Sequence, residues 1–376
     1  MTEVQSTPIT APDGAAVRIN AAAVLEPDHW NFSVDYALFP SVGEYPVYDD
    51  PMYDAMAADE VRNTAYAGAI DRLAPGRTAV EIGTGKHALW SIAAVRAGAE
   101  HVYAIEALPA YAELARETIA QAGLSDRITV LDGLSTEVEL PERVDLCISE
   151  IIGCIGGSEG TEAVLADARD RFLKSDGRSI PHRCVTTVAA VDVRGRFLDD
   201  TPAVVDVTVP YVEQIFRAYG RPFDLRMCLH GDVGKVALTD EDEVEALEFN
   251  GEPGTGEPDR GTLRVTRAGT LTGLALGVRL WTAPEVAPID TVRQETSWLP
   301  IYAPLSPDGI EVVPGDRIDY EFTRSLSDDE VHPDYAFTGT LHRAAGGDPV
   351  ELAWDSPHHP EVFRGTTFYR DLFPAG

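Results

Sequence analysis

Between residues 77 and 149 the chain alternates short apolar runs with segments of helical period. The runs 77–82, 101–105, 127–131 and 144–149 are brief and mostly apolar, as strands buried on both faces are. The segments 88–97, 110–122 and 161–173 read as helices, the last ending before Gly177. Ahead of them, Met56, Val61, Ala65, Ala69 and Leu73 fall close to helical spacing, so one helix is expected from Tyr53 to about Leu73. Asp59 and Arg62 are three apart on it and share a face. Strands alternating with helices predict a doubly wound α/β layer around a parallel sheet.

After Pro181 the texture changes. Short β-rich runs at 185–193, 204–209, 261–265, 273–281, 317–322 and 335–341 are separated by Gly, Pro and Asp turns. They predict a mostly antiparallel barrel or sandwich. Within this half, 212–219 reads as a helical excursion and 239–261 as an exposed acidic loop rich in Gly and Pro. Residues 1–30 read as a polar lead-in, and 30–53, with its recurrent aromatics, as an irregular lid. The closing stretch 346–376 holds Trp354, Phe363, Phe368, Tyr369 and Phe373, too many aromatics for a free tail, and is expected against the barrel or a partner. The expected division is 1–53, 54–181 and 182–376.

Charge narrows the partners. There are 62 acids against 30 bases, a net charge of −32. That disfavours nucleic-acid phosphates and anionic membranes and permits attraction of a cationic substrate. Cys147, Cys154, Cys184 and Cys228 form no C-x-x-C pair, so neither a disulfide framework nor a metal site is expected, and a cytoplasmic setting fits. The opening residues lack a basic region followed by an apolar one, so no secretory leader is expected.

The candidate chemistry gathers at strand ends. Ser149 to Glu159 leaves the 144–149 strand as a Gly-containing loop with two carboxylates, Glu150 and Glu159. In open α/β sheets the ligand crevice lies at the carboxyl ends of the strands. There two glutamates can grip a cation or act as acid and base. Glu81-Ile82-Gly83-Thr84-Gly85 hands the first strand to a helix, where glycines allow close approach and a helix N-terminus favours anionic groups. Glu106 ends the second strand, where an acid can accept both ribose hydroxyls, and Asp132 ends the third. The run Gly83 to Ala88 also satisfies a dinucleotide pattern, leaving a nicotinamide dinucleotide and S-adenosylmethionine as competing ligands. The acid two residues before the first glycine and the two-Glu loop favour S-adenosylmethionine.

From Tyr53 to about Asp192 the sequence resembles the protein arginine methyltransferases. Met56, Asp59, Arg62, Tyr66, Ala69 and Ile70 follow that family's helix before the first strand. Glu81 to Gly85 matches its first cofactor motif, Ile105-Glu106 its ribose motif, and Glu150 with Glu159, nine apart, its double-Glu loop. The resemblance implies an S-adenosylmethionine-binding domain followed by a C-terminal antiparallel β-barrel, and a homodimer formed through an arm near 205–235. It implies that Arg62 holds the methionine carboxylate and Glu106 the ribose. It also implies that Glu81, Gly83, Gly85, Ala107, Gly133, Leu134, Ser135, Thr136 and Glu150 line the cofactor, and that Glu150 and Glu159 grip the acceptor. The physics is coherent, since two carboxylates match the forked donors of a guanidinium.

Three departures mark the acceptor side. His87 replaces the third motif glycine, Ile155-Gly156-Gly157-Ser158 replaces an aromatic-rich stretch, and Ser297 stands where the family's barrel loop carries a histidine paired with the acid at Asp59. On that basis Asp59, Ser297 and His87 join the two glutamates as catalytic candidates. A small-molecule or peptide acceptor is expected first, a true protein arginine methyltransferase second, and a non-catalytic cofactor-binding scaffold third.

Overall fold

In the computed structural model the residues described are 7–10, 16–19, 36–42, 50–194, 225–251, 258–306 and 308–358. Five parallel strands form the first sheet, in spatial order Ile128–Asp132, His101–Glu106, Thr78–Ile82, Val144–Ser149 and Leu173–Ile180. Chain order therefore reverses between Thr78–Ile82 and Val144–Ser149, and at such a switch point the loops part and leave a crevice. Helices Glu60–Leu73, Leu89–Arg96, Pro109–Gln121 and Thr161–Arg171 accompany this sheet. The core contains Tyr66, Ile70, Val80, Ile105, Leu146, Ile148 and Phe172, all at or near zero exposure.

The expected long helix is two. Asp50–Ala58 and Glu60–Leu73 are separated by Asp59, whose extended backbone caps the second, its Oδ1 accepting from the Arg62 backbone N–H at 2.9 Å. An aspartate at that spacing competes with the helix for its own donors, and here capping wins. The fifth strand, Leu173–Ile180, also departs from expectation. It is a polar edge strand, Lys174-Ser175-Asp176-Gly177-Arg178-Ser179, so it lacks the apolar run that marks its neighbours.

The second half is antiparallel, as expected. Its described pairings form a seven-stranded sheet and a four-stranded sheet, with Gly269–Leu271 and Ile310–Val312 paired beside them. The two larger sheets share one apolar core, in which Val188, Leu274, Leu276 and Ile301 meet Phe322, Tyr335, Phe337 and Leu341. Three stretches differ from their expected state. Tyr36–Val42 is an edge strand of the seven-stranded sheet, where Pro40 is tolerated because an edge leaves one row of donors unused. Thr7–Thr10 pairs with Ala16–Ile19. The acidic stretch 239–261 contains the strand Asp242–Glu248, paired with Arg183–Val191. Within the closing stretch, Val350–Ser356 completes the four-stranded sheet, while 359–376, the 212–219 excursion and the 204–209 run lie outside the described residues. No helix among the described residues is long and apolar enough to cross a membrane.

Candidate active site

The glycine turn is shaped by buried polar contacts. Gly83 and Gly85 take φ of +76° and +59°, where side chains are strained. A Cβ on Gly83 would lie 3.3 Å from Ile151 Cγ2, and one on Gly85 3.3 Å from Tyr53 Cε1. Glu81 is the organiser beneath: its Oε2 accepts from Thr84 Oγ1 at 2.6 Å, from the Ser91 N–H at 2.8 Å and from Ser91 Oγ. Its Oε1 is buried and accepts no hydrogen bond from the described residues. Burial pushes the Glu81 carboxyl up to about 7, against the pull of the Ser91 and Thr84 hydrogen bonds.

Glu106 ties the second strand to this turn. Its Oε2 accepts from the Gly85 N–H at 2.8 Å and its Oε1 from the Leu108 N–H at 2.9 Å. Ala107 lies between Glu106 and Leu108. Gly133 continues from the third strand with φ +133°, its N–H donating to the Glu106 carbonyl at 3.0 Å. Beyond it, Leu134 is 43% exposed, an apolar side chain left open beside the turn, whereas Ser135 is buried and Thr136 exposed.

At the switch point the two-Glu loop begins. The Glu150 side chain is 9% exposed, and Arg62 donates through Nη1 to its Oε2. Arg62 also donates to the Met56 carbonyl, and its guanidinium lies 5.6 Å from the centre of the Trp90 ring. Burial pushes the Glu150 carboxyl up to about 7; Arg62 opposes this, while Glu159 and Asp59 add to it. Glu159 is half-buried at the loop's other end, followed by Gly160 at φ +75°, which starts helix Thr161–Arg171.

The antiparallel half holds this loop by its backbone. The Gly156 N–H donates to Thr186 Oγ1 at 3.0 Å, the Gly157 N–H to Glu245 Oε2 at 3.2 Å, and Trp298 Nε1 to the Ile152 carbonyl at 2.8 Å. Glu245 is 1% exposed and sits at a break in strand register with φ +50°, a bulge that turns its carboxylate inward. Thr186 Oγ1 and Tyr335 OH each donate to it at 2.6 Å. Burial raises the Glu245 carboxyl, and these two bonds hold it down. A Cβ on Gly157 would lie 2.6 Å from Glu245 Oε1, and one on Gly156 2.6 Å from Cys184 Sγ. The glycine pair that stands in place of an aromatic-rich stretch therefore seats the loop on the antiparallel half.

Among the candidates, Asp59 and Ser297 meet. Asp59 Oδ2 accepts from the Ser297 N–H at 2.6 Å and from Ser297 Oγ at 2.9 Å. With Trp298 on Ile152, the segment Thr296-Ser297-Trp298 bridges the helix cap and the acceptor loop. His87 stands apart. It is 40% exposed, and its Nε2 lies 3.1 Å from Asp54 Oδ1, which also pairs with Lys86. Sequence reasoning missed Glu245, Thr186 and Tyr335, because a glutamate in an acidic stretch carries no signal of burial.

No protein-family model matches the chain. It is 34% identical over 202 residues to an arginine N(omega)-methyltransferase of Streptomyces achromogenes subsp. streptozoticus, covering 48% of this chain and 55% of that one. It is 32% identical over 216 residues to the protein arginine N-methyltransferase PRMT10 of Oryza sativa subsp. japonica, covering 56% and 55%. Over 130 residues it is 42% identical to a probable histone-arginine methyltransferase of Arabidopsis thaliana, covering 34% and 24%. The chain thus spans about half, or less, of the length of these curated relatives. Among solved structures, protein arginine methyltransferase 10 of Arabidopsis thaliana superposes with TM-score 0.65 at 20% identity, covering 82% of this chain and 97% of that one. A Trypanosoma brucei PRMT1 enzyme–prozyme heterotetramer with AdoHcy gives 0.63 at 18%, covering 81% and 98%. At such identity the likeness speaks for the fold alone. The chain has the arginine methyltransferase fold, and the motif resemblance to that group is borne out by its sequence relatives.

Proposed function

We propose that the chain is an S-adenosylmethionine-dependent methyltransferase acting on a guanidino nitrogen of arginine, with an arginine of a protein or peptide as acceptor. The observation that carries this reading is the Arg62–Glu150 contact. A carboxylate at the switch point already accepts from a guanidinium, with a second glutamate close enough to raise its pKa. The names of the relatives support arginine over the remodelled acceptor that the departures had suggested.

The residues present fit the cofactor. The left-handed Gly83 and Gly85 form a tight turn bare of its own side chains, Glu106 closes the second strand beside it, and exposed Leu134 offers an apolar wall for an adenine. Arg62 is the cation for its carboxylate. When bound, the cofactor supplies a methyl group activated by a sulfonium leaving group. Glu150 and Glu159 would hold the acceptor's forked donors and fix one nitrogen in line, so that catalysis is mainly positioning. N-methylation releases a proton, and the Glu150 carboxyl, pushed up to about 7, can accept it and pass it to solvent. Asp59, held by Ser297 and by the Arg62 backbone, keeps the helix cap and the acceptor loop in one arrangement.

A second reading, free arginine as acceptor, is favoured by one observation: the Streptomyces relative is named for arginine and not for a protein. We propose a second copy of the chain as partner, on the resemblance alone, since of the 205–235 arm only 225–235 is described. A cytoplasmic setting agrees with four free cysteines. The test is transfer of labelled methyl from S-adenosylmethionine to an Arg-rich peptide panel and to free arginine, with Glu150→Gln as control. Label on peptides supports the first reading, label on free arginine the second, and label on neither, with cofactor bound, removes both.

A further inference from the structure

The turn between strands Arg317–Leu326 and Pro333–His342 brings Asp329 and His332 to the end of the last described strand, Val350–Ser356, where His358 follows. Asp329 Oδ2 lies 2.6 Å from His332 Nδ1 and 3.4 Å from His358 Nε2, and the three ligand atoms fall within 4.8 Å of one another. The other oxygen is already committed. Asp329 Oδ1 accepts from Ser327 Oγ at 2.8 Å and from the Val331 and His332 N–H groups at 2.9 and 2.8 Å. That saturation fixes the carboxylate and leaves Oδ2 turned toward the histidines. The two imidazoles stack at 4.1 Å with 14° between their planes, and His358 is buried.

We propose that Asp329, His332 and His358 bind one divalent transition-metal ion of the zinc, cobalt and nickel class. Two imidazole nitrogens with one carboxylate suit these borderline ions better than magnesium or calcium, which prefer all-oxygen shells. Metal–ligand distances of about 2.0–2.2 Å set tetrahedral ligand atoms roughly 3.3–3.5 Å apart, so binding widens the closest contact by under about 1 Å and turns the stacked imidazoles until their in-plane lone pairs converge. With three protein ligands, water completes the shell. The ion would clasp the end of the last described strand to a turn that abuts the acceptor loop. Val331 lies in that turn, and a Cβ on Gly160, the residue after Glu159, would meet Val331 Cγ1 at 2.5 Å.

The bland alternative is an aspartate that merely hydrogen-bonds two histidines, and a chain of charge −32 attracts cations at many places. The experiment separates these. The full chain, free of any histidine tag, is stripped with chelator and titrated with Co(II), then with Zn(II). One equivalent per chain is expected, with visible absorption bands of four- or five-coordinate cobalt that Zn(II) bleaches. His332→Ala and His358→Ala should each weaken binding by about 100-fold or more, since even outer-shell changes cost 10–100-fold. Glu330→Gln, in the same turn, should leave it unchanged. If His332→Ala upsets the turn, seen by circular dichroism, His358→Ala alone decides. No stoichiometric binding, or equal binding by a folded His358→Ala chain, overturns the proposal.

Discussion

Arg62 and Glu150 are joined by an ion pair that links the helix Glu60–Leu73 to the start of the two-Glu loop. The cation expected to serve the cofactor is therefore in contact with the acid expected to serve the acceptor. Truncating one partner of a hydrogen-bonded charge pair across a binding interface costs about 2–5 kcal/mol, and Glu150 with the acceptor guanidinium would be such a pair. For Glu150→Gln we expect transfer to fall at least about 30-fold, the lower end of that range at 1.4 kcal/mol per decade. Cofactor affinity should change far less, because Arg62 gains a freer guanidinium for the cofactor carboxylate. Calorimetry with S-adenosylhomocysteine beside a labelled-methyl assay checks both, and full transfer by the variant would sink the mechanism.

The same glutamate sets a pH dependence. Its carboxyl is pushed up to about 7 chiefly by burial, with Glu159 and Asp59 adding and Arg62 opposing. Below that value it holds a proton and cannot accept a forked cation; above it, it can. So kcat/KM is expected to rise with pH and level off above about 7, the apparent value belonging to the pair. Glu159→Gln removes one like charge, and the acid limb should move to lower pH as total activity drops. A limb that stays in place would mean that Glu159 does not sense Glu150.

Gly157 tests the loop's seat. A methyl group there would meet Glu245 Oε1 at 2.6 Å and Tyr335 OH at 3.1 Å. Overpacking of this kind typically costs about 1–3 kcal/mol. Gly157→Ala is expected to lower stability by that order and to raise the acceptor KM while cofactor affinity holds. Denaturant unfolding and steady-state kinetics read the two effects. An alanine chain with unchanged stability would show that Glu245 does not hold the loop.

What the sequence made legible follows the physics of each signal. Apolar strands and the glycine turn carry local patterns, so the parallel sheet, Glu81, Glu106 and the two-Glu loop could be read directly. Leu173–Ile180 escaped because an edge strand need not be apolar. Glu245 escaped because its burial comes from a bulge and from Tyr335, 90 residues away. Asp59 and Ser297 are 238 apart, and only family resemblance joined them. His332 and His358 offered no local spacing at all, being brought together by strand pairing.

Glu81 yields a stability prediction independent of catalysis. Its carboxyl lies at about 7 against an ordinary 4.5, with burial as the main cause. The folded chain therefore holds a proton there that the unfolded chain has released between those two values. By linkage, this group's contribution is fully present below about 4.5 and is lost as pH rises through 7. The lost amount is about 3 kcal/mol, from roughly 2.5 pKa units at 1.36 kcal/mol each. Glu81→Gln keeps an oxygen for Thr84 and Ser91 but does not titrate. Relative to the parent chain, its stability should therefore gain about 3 kcal/mol between pH 4 and pH 8, other carboxylates cancelling in the difference. Urea unfolding of both chains across that range is the measurement. A difference that stays flat would mean that Glu81 ionises as an ordinary acid, with its buried Oε1 solvated by means other than the protein.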